Sequence, residues 1–300
     1  MSSCQFCIFS NMNPVSNKKS KIFADTRKAG QITNGMKLGI TTIQRDRAPW
    51  IKEWIAFHYL VGFRKFYFFD HNSKDNTNEI LTKLKKKIDI KIFTVGADLE
   101  WPQLKCYQDS YTSFGDEVDW MAFIDSDEFL FPTNSDSMEI ALSEFSNKKI
   151  SALGVYWSCF GSNGYIDEPH GLIIENYTSK AANGYHNNRH IKSIVRGGQN
   201  GSVKVSDPHI FQTPLGTYDE NLRPIRSGWT GYQPTYEKFR INHYVTQSRQ
   251  YFLNFKAKFR PPDGSPKRDE TFWQEHDQND VPDNSMDRFL KPLKKILKSI

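Results

Sequence analysis

The sequence predicts an α/β domain built on a mostly parallel central sheet with helices on both faces. Three observations lead there. Short β-branched or aromatic runs alternate with segments of helical spacing from Leu38 to Trp120. Three of those runs end in polar clusters. One run, Trp120-Met121-Ala122-Phe123-Ile124-Asp125-Ser126-Asp127-Glu128-Phe129-Leu130-Phe131-Pro132, passes from apolar residues straight into three carboxylates and back. Open sheets of this class bind ligands beyond the carboxyl ends of their strands, so the polar clusters are expected to converge on one edge.

The elements follow in order. Residues 1–36 are polar and Lys-rich after the first few positions and read as a flexible arm. Leu38 to Ile43 is a short β-branched strand ending in Gln44-Arg45-Asp46-Arg47. Pro49 then opens a helix from Trp50 to Val61, with Trp50, Ile51, Trp54, Ile55, His58 and Val61 at helical spacing and Gly62 as the stop. Lys65 to Phe69 is a second strand, ending in Asp70-His71-Asn72-Ser73-Lys74-Asp75-Asn76-Thr77. Asp75 or Asn76 is expected to cap the helix that follows through Ile80, Leu81 and Leu84, while Asp70 is expected to face the ligand. Ile90 to Val95 and Gln103 to Phe114 repeat the strand-helix order and lead into the Trp120 strand. Beyond Pro132 come a helix over Ser137 to Phe145, a strand from Ala152 to Trp157, a turn-rich loop to Gly164, and strands at Gly171 to Tyr177 and Ile191 to Arg196. His209 and His243 each stand among apolar residues, where a hydrogen-bonded core histidine and a ligand are both open readings.

Composition bounds the function. The 300 residues, 38% hydrophobic and 14% aromatic, suffice for one large globular domain over 37–287 with a basic amphipathic tail over 288–300. The net charge of +6 arises from 40 basic and 34 acidic residues that are interspersed, so no nucleic-acid face is expected. No run approaches the 18 or more apolar residues of a membrane span, and the first residues lack a signal-peptide pattern, so a cytoplasmic protein is expected. Cys4 and Cys7 lack a second ligand pair for zinc, and Cys106 and Cys159 read as buried thiols. No glycine-rich dinucleotide or P-loop motif follows the first strand.

The chemistry sits in Asp125-Ser126-Asp127. Two carboxylates two residues apart can offer hard oxygen ligands to one divalent cation, which in turn holds a phosphate-bearing substrate. An acidic solvated turn is the bland alternative, and the apolar flanks oppose it because buried carboxylates need a positive partner. Lys192 and Arg196, four apart on one strand face, are phosphate candidates; an exposed basic face is the alternative.

Several motifs together resemble glycosyltransferase family 92. They are Arg45-Asp46 with Glu53-Trp54-Ile55 and His58; Asp70-x-Asn72-Ser73-x-Asp75; Trp120-x-Ala122-Phe123-Ile124-Asp125-x-Asp127-Glu128-Phe129; Trp157-x-x-Phe160-Gly161-Ser162-x-Gly164; Lys192 to Arg196; and His243-Tyr244-Val245-Thr246-x-Ser248. The resemblance spans about residues 37 to 287 and extends more loosely to family 2 enzymes. It implies a GT-A fold, a nucleotide-sugar donor such as a UDP-hexose (galactose being the leading association), Mn2+ or Mg2+, and inversion at the anomeric carbon. By the same resemblance Asp125 and Asp127 match the metal motif, with Ser126 beside the donor. His243 completes the metal or diphosphate site, and Arg45, Asp46, Asp70 and Asn72 lie near the nucleotide. Gln247 stands where relatives carry Lys. For the general base the second half offers Glu175, Asp167 and Asp207. A glycan or lipid-linked glycan is the expected acceptor, with peripheral membrane contact through the tail as one option and docking of the tail on the domain as the other. A metal-dependent nucleotidyltransferase and a non-catalytic sugar-binding module are the competing readings.

Overall fold

A computed structural model of the chain describes residues 35–96, 99 and 101–300. All but the last two residues of the expected arm, and the Cys4-x-x-Cys7 pair, lie outside them. The first half alternates strand and helix as expected: β1 (Leu38–Gln44), α1 (Ile51–Leu60), β2 (Lys65–Asp70), α2 (Thr77–Leu84), β3 (Asp89–Thr94), α3 (Pro102–Phe114), β4 (Trp120–Phe123) and β5 (Glu128–Pro132). The second half has shorter pieces: α4 (Met138–Ser143), β6 (Ala152–Cys159), α5 (Ile173–Asn176), β7 (Ser179–Lys180), β8 (Ile191–Arg196), β9 (Lys204–Val205), β10 (Phe211–Gln212), β11 (Thr217–Tyr218), β12 (Pro224–Ile225) and β13 (Phe239–His243). It closes with α6 (Arg249–Tyr251), a π-helical turn at Phe252–Lys256, α7 (Glu270–His276), β14 (Val281–Pro282) and α8 (Asp287–Ser299).

Among the described residues the main sheet runs β12-β11-β6-β8-β4-β1-β2-β3, and β13 joins β6 to β5. The β3-β2-β1-β4 part is all parallel, while β8 lies antiparallel between β4 and β6. The parallel part follows from its crossover helices, which return the chain to the same edge before each new strand.

Strand periodicity sorts the apolar residues onto two faces. Phe66, Phe68, Trp120 and Ala122 enter the core with α1 and α2, whereas Tyr67, Phe69, Met121 and Phe123 enter a second core with Tyr107, Tyr111 and Phe114 of α3. Helix α1 also fixes the strand that follows the acidic turn. Trp54 Nε1 donates to Glu128 O at 2.8 Å, and Leu130 N donates to His58 Nε2 at 3.2 Å while His58 Nδ1 bonds Trp54 O at 2.8 Å. His58 is therefore the neutral Nδ1–H tautomer, and its burial pulls the pKa down to about 3. Gly62, at φ +121°, supplies the left-handed turn that ends the helix.

One expected strand is a helix. Ile173 and Ile174 read as β-formers, but the Glu53 carboxylate on α1 accepts from their backbone amides at 2.8 and 3.2 Å and caps the short α5. Cys106 and Cys159 are buried free thiols. The tail forms α8, whose Leu293 is fully buried and whose Phe289 meets Phe57 and Phe131 edge-on at centroid distances of 5.2 and 5.6 Å. Its apolar face is thus covered by the domain, with Lys291, Lys294, Lys295 and Lys298 exposed. Among the described residues no helix is long and apolar enough to cross a membrane.

Candidate active site

The acidic turn between β4 and β5 is gripped from several sides. Asp125 N donates to Glu128 Oε2 at 2.9 Å and Glu128 N to Asp125 O at 3.1 Å, closing the turn on itself. Arg47, after β1, donates to Ser126 O at 3.1 Å and also to the Tyr251 hydroxyl; its guanidinium lies over the Trp50 ring at 4.7 Å. Tyr244 N, just beyond β13, donates to Asp127 O at 3.0 Å. The turn's backbone is therefore held before any ligand arrives.

The two aspartates face different partners. Asp125 accepts from Gln103 at 2.7 Å, Tyr107 at 3.3 Å and Lys192 at 2.9 Å. Burial would raise its pKa, but the Lys192 ammonium outweighs that and holds the carboxylate below its usual range. Asp127 is ion-paired with Lys256 on the π-helical turn, and His243 Nε2 stands 3.8 Å from its Oδ2. Here too burial is overcome, by the Lys256 ammonium first with the Arg47 guanidinium adding to it, so Asp127 stays ionised. Glu128 behaves in the opposite way: burial and the neighbouring aspartates outweigh Lys192 and push it up to about 8, so it carries a proton at neutral pH.

A cleft of about 150 Å³ opens beside the turn. Its cations are Arg45, Arg47, Lys256, Arg260 and Arg268, against the carboxylates of Asp125, Asp127 and Asp263. A strap of chain, residues 257–269, forms its outer wall, with Arg45 over the Phe259 ring at 4.3 Å. The strap is seated through Gln103 N, which donates to Pro262 O at 3.4 Å, and through Gly264 at φ +85°, where a Cβ would lie 2.2 Å from the Trp101 indole nitrogen.

Of the residues expected at the site, Arg45, Asp125, Ser126 and Asp127 line this cleft and His243 reaches it through Asp127. Asp46, Asp70 and Asn72 stand just behind. Asp46 accepts from Lys74 N at 2.6 Å and Asp75 N at 3.3 Å; Asp70 accepts from Gln44, Ser73 and Asn78; Asn72 accepts from Lys74 Nζ at 2.9 Å. Their polar atoms tie the β1 and β2 turns together, so His71 and Gln44 are presented to the cleft instead. Lys192 is fully buried against Asp125, not open to a phosphate. Arg196 points elsewhere altogether: it donates to the carbonyls of Phe145, Ser146, Lys148 and Ile150 and stacks over Trp120.

The three expected bases are also elsewhere. Glu175 pairs with Lys294 of α8 at 2.6 Å, Asp167 is exposed on the loop before α5, and Asp207 Oδ1 caps its own turn by accepting from His209 N and Ile210 N. An exposed acid and a turn-capping acid look alike in sequence; only the fold separates them.

Against this geometry the model of glycosyltransferase family 92 matches residues 38–279. The chain belongs to glycosyltransferase family 92. Its largely parallel sheet carries Asp125-Ser126-Asp127 at the carboxyl end of β4. A family 92 protein of Oryza sativa subsp. japonica is 29% identical over 188 residues, covering 61% of this chain and 31% of that protein. Another, from Arabidopsis thaliana, is 25% identical over 252 residues, covering 79% of this chain and 40% of that protein. The chain thus spans between 31% and 40% of the length of these two relatives. Among solved structures, S. aureus TarS with UDP-GlcNAc aligns with a TM-score of 0.34 at 14% identity, over 54% of this chain and 45% of that one. Glucosyl-3-phosphoglycerate synthase from Mycobacterium tuberculosis with Mn2+, UDP-glucose and phosphoglyceric acid aligns with a TM-score of 0.30 at 12% identity, over 41% and 45%.

The resemblance to family 92 implies a divalent cation, and the side chains around Asp127 bear on where it would sit. His243 is held neutral by burial, its pKa pulled down to about 3, and its buried Nδ1 has no hydrogen-bond partner among the described residues. A neutral imidazole beside an ionised carboxylate is a donor set that manganese accepts. Asp127 and His243 therefore fit; among the described residues no group of three or more such donors converges. Gln247 is buried and donates to Tyr244 O at 3.3 Å.

Lys256, Tyr251, Arg260 and Arg268 line the cleft with no motif in the sequence that marks them. They lie in a Phe-, Lys- and Arg-rich stretch with no strand or helix period strong enough to place it.

Proposed function

We propose that this chain is a metal-dependent hexosyltransferase that moves a sugar, galactose being the first candidate, from a UDP-linked donor to a glycan hydroxyl with inversion. The observation that carries the reading is the juxtaposition of a built Asp-x-Asp turn with five cationic side chains in one cleft. A nucleoside diphosphate needs both a cation on its oxygens and fixed positive charge around it. Asp127 and His243 would hold the manganese ion, whose chemistry is to offset the negative charge gathering on the diphosphate. Arg47, Lys256 and Arg268 add charge of the same sign from the protein. Lys256 is poised to exchange its partner, leaving Asp127 for a diphosphate oxygen when donor and cation enter. The strap must yield as well, because about 150 Å³ is below the roughly 300–1,000 Å³ of ordinary ligand clefts.

In the transfer, the acceptor oxygen bonds to the anomeric carbon from the face opposite the diphosphate while the carbon–oxygen bond to phosphate breaks. The electron pair leaves on UDP, and the hydroxyl proton passes to a carboxylate. Asp125, tied down by three partners, has the part of keeping Lys192 and the turn in place. Release of UDP from a panel of UDP-hexoses, with and without Mn2+ and with and without glycans, tests the reading. Absence of cation-dependent UDP release from every donor would overturn it, and pyrophosphate release from nucleoside triphosphates would favour a nucleotidyltransferase.

A further inference from the structure

A second cleft, of about 550 Å³, lies on the other side of the strap. Arg268 lines both clefts, and they also meet through the ligand pair: Asp127 lines the first, His243 the second, 3.8 Å apart. Its inner wall is aromatic. Trp157, on β6, stacks on His190 at 4.8 Å with an interplanar angle of 28° and meets His243 at 4.2 Å. The Trp157 indole nitrogen is buried with no hydrogen-bond partner among the described residues. Such a group is costly to bury unpaired. The facing wall is polar and balanced in charge, with Lys267 and Arg268 against Asp269 and Glu275, together with Asn187 and Thr271.

We infer that this cleft binds the acceptor, and that its occupant is the terminal neutral pyranose of a glycan. This rests on the donor reading of the first cleft. A pyranose has an apolar face of C–H bonds and a rim of hydroxyls, which is the pattern of the wall pair: the ring edges of an aromatic cluster of Trp157, His190 and His243 opposite mixed donors and acceptors. The charge balance distinguishes it from the donor cleft, where cations outnumber carboxylates, and disfavours a phosphorylated acceptor. Trp157 meets His243, which stands 3.8 Å from Asp127, so a sugar held in this cleft lies next to the donor cleft, on the side from which a hydroxyl can be brought to the donor sugar. Asp269 and Glu275 are the two carboxylates of this cleft; Asp269 accepts from Phe272 N at the start of α7 and Glu275 meets His186 Nε2 at 3.1 Å, so both offer acceptor oxygens to the sugar's hydroxyl rim.

The test is saturation-transfer NMR on the full chain with methyl glycosides of galactose, glucose and mannose and their disaccharides, with UDP affinity measured in parallel by calorimetry. The expected result is that at least one glycoside binds, that Trp157→Leu weakens it about tenfold or more, and that Glu275→Gln weakens it less, both variants keeping wild-type UDP affinity. Unchanged glycoside binding in both variants, or no binding of any glycoside to the wild type, overturns the assignment. Should Trp157→Leu fail to fold, Glu275→Gln decides by itself. Loss of UDP binding by the wild type, with glycosides still bound through Trp157, would overturn the donor reading alone.

Discussion

Arg45 and Lys256 line the same cleft by different routes. Arg45 follows directly on β1, whose hydrogen bonds to β2 and β4 fix where its end lies. Lys256 comes 129 residues after Asp127, at the end of a π-helical turn, and is brought back by its ion pair with that residue. The half of the site carried on strand ends is thus rigid without ligand, while the half carried on the strap depends on contacts that a ligand replaces. Extra residues in π turns often mark places where a helix has been adjusted for function. The difference teaches where affinity and stability should part company: strand-end residues support both, strap residues only the first.

The largest expected effect is at Asp127. Asp127→Asn keeps the shape of the side chain but removes the charge, and should lower manganese-dependent UDP release by about 100-fold or more with little change in the melting temperature. Normal turnover in that variant would break the comparison at its centre. Arg196 lies on a sheet strand outside the cleft, and Arg196→Met should cost about 2 kcal/mol in chemical denaturation through its lost carbonyl contacts while UDP affinity stays as in the wild type. A fall in UDP affinity without a loss of stability would restore it as a phosphate ligand.

Acid should act on the framework rather than on the strap. His58 has an ordinary pKa of 6.5 when unfolded and about 3 when folded, because burial and the Leu130 amide oppose its charge. The unfolded chain therefore takes up a proton that the folded chain does not as pH falls below 6.5. Stability present at neutral pH is lost on the acid side, by about 2 kcal/mol at pH 5 from this residue alone. Melting temperature followed from pH 7 to pH 5 should fall, and the slope should flatten in His58→Gln; an equal slope in both proteins would show that other groups set it.

Smaller is the effect expected of Lys256→Gln, about tenfold weaker UDP binding with its fixed charge gone, read by calorimetry. Wild-type affinity would mean that the π-helical turn contributes shape and not charge. The smallest belongs to Glu175→Gln, which breaks a surface ion pair with Lys294 and should shift stability by less than about 1 kcal/mol with turnover unchanged. A strong loss of turnover would return Glu175 to the site.

Local pattern and distant pairing divide along the same line. Sequence by itself determined the strand-helix alternation of the first half, the aromatic strand at Lys65 to Phe69, and the special standing of Asp125 and Asp127. These are local regularities: side chains alternate along a strand every two residues, and carboxylates between apolar runs are conspicuous wherever the chain goes. Tertiary structure alone decided that Lys192 serves Asp125, that Arg196 serves the carbonyls around Ile150, that Ile173 and Ile174 enter a helix capped by Glu53, and that the strap supplies the missing cations. Each of these is a choice among partners distant in sequence, made by packing and charge pairing after the sheet has formed, and a spacing rule carries no information about it.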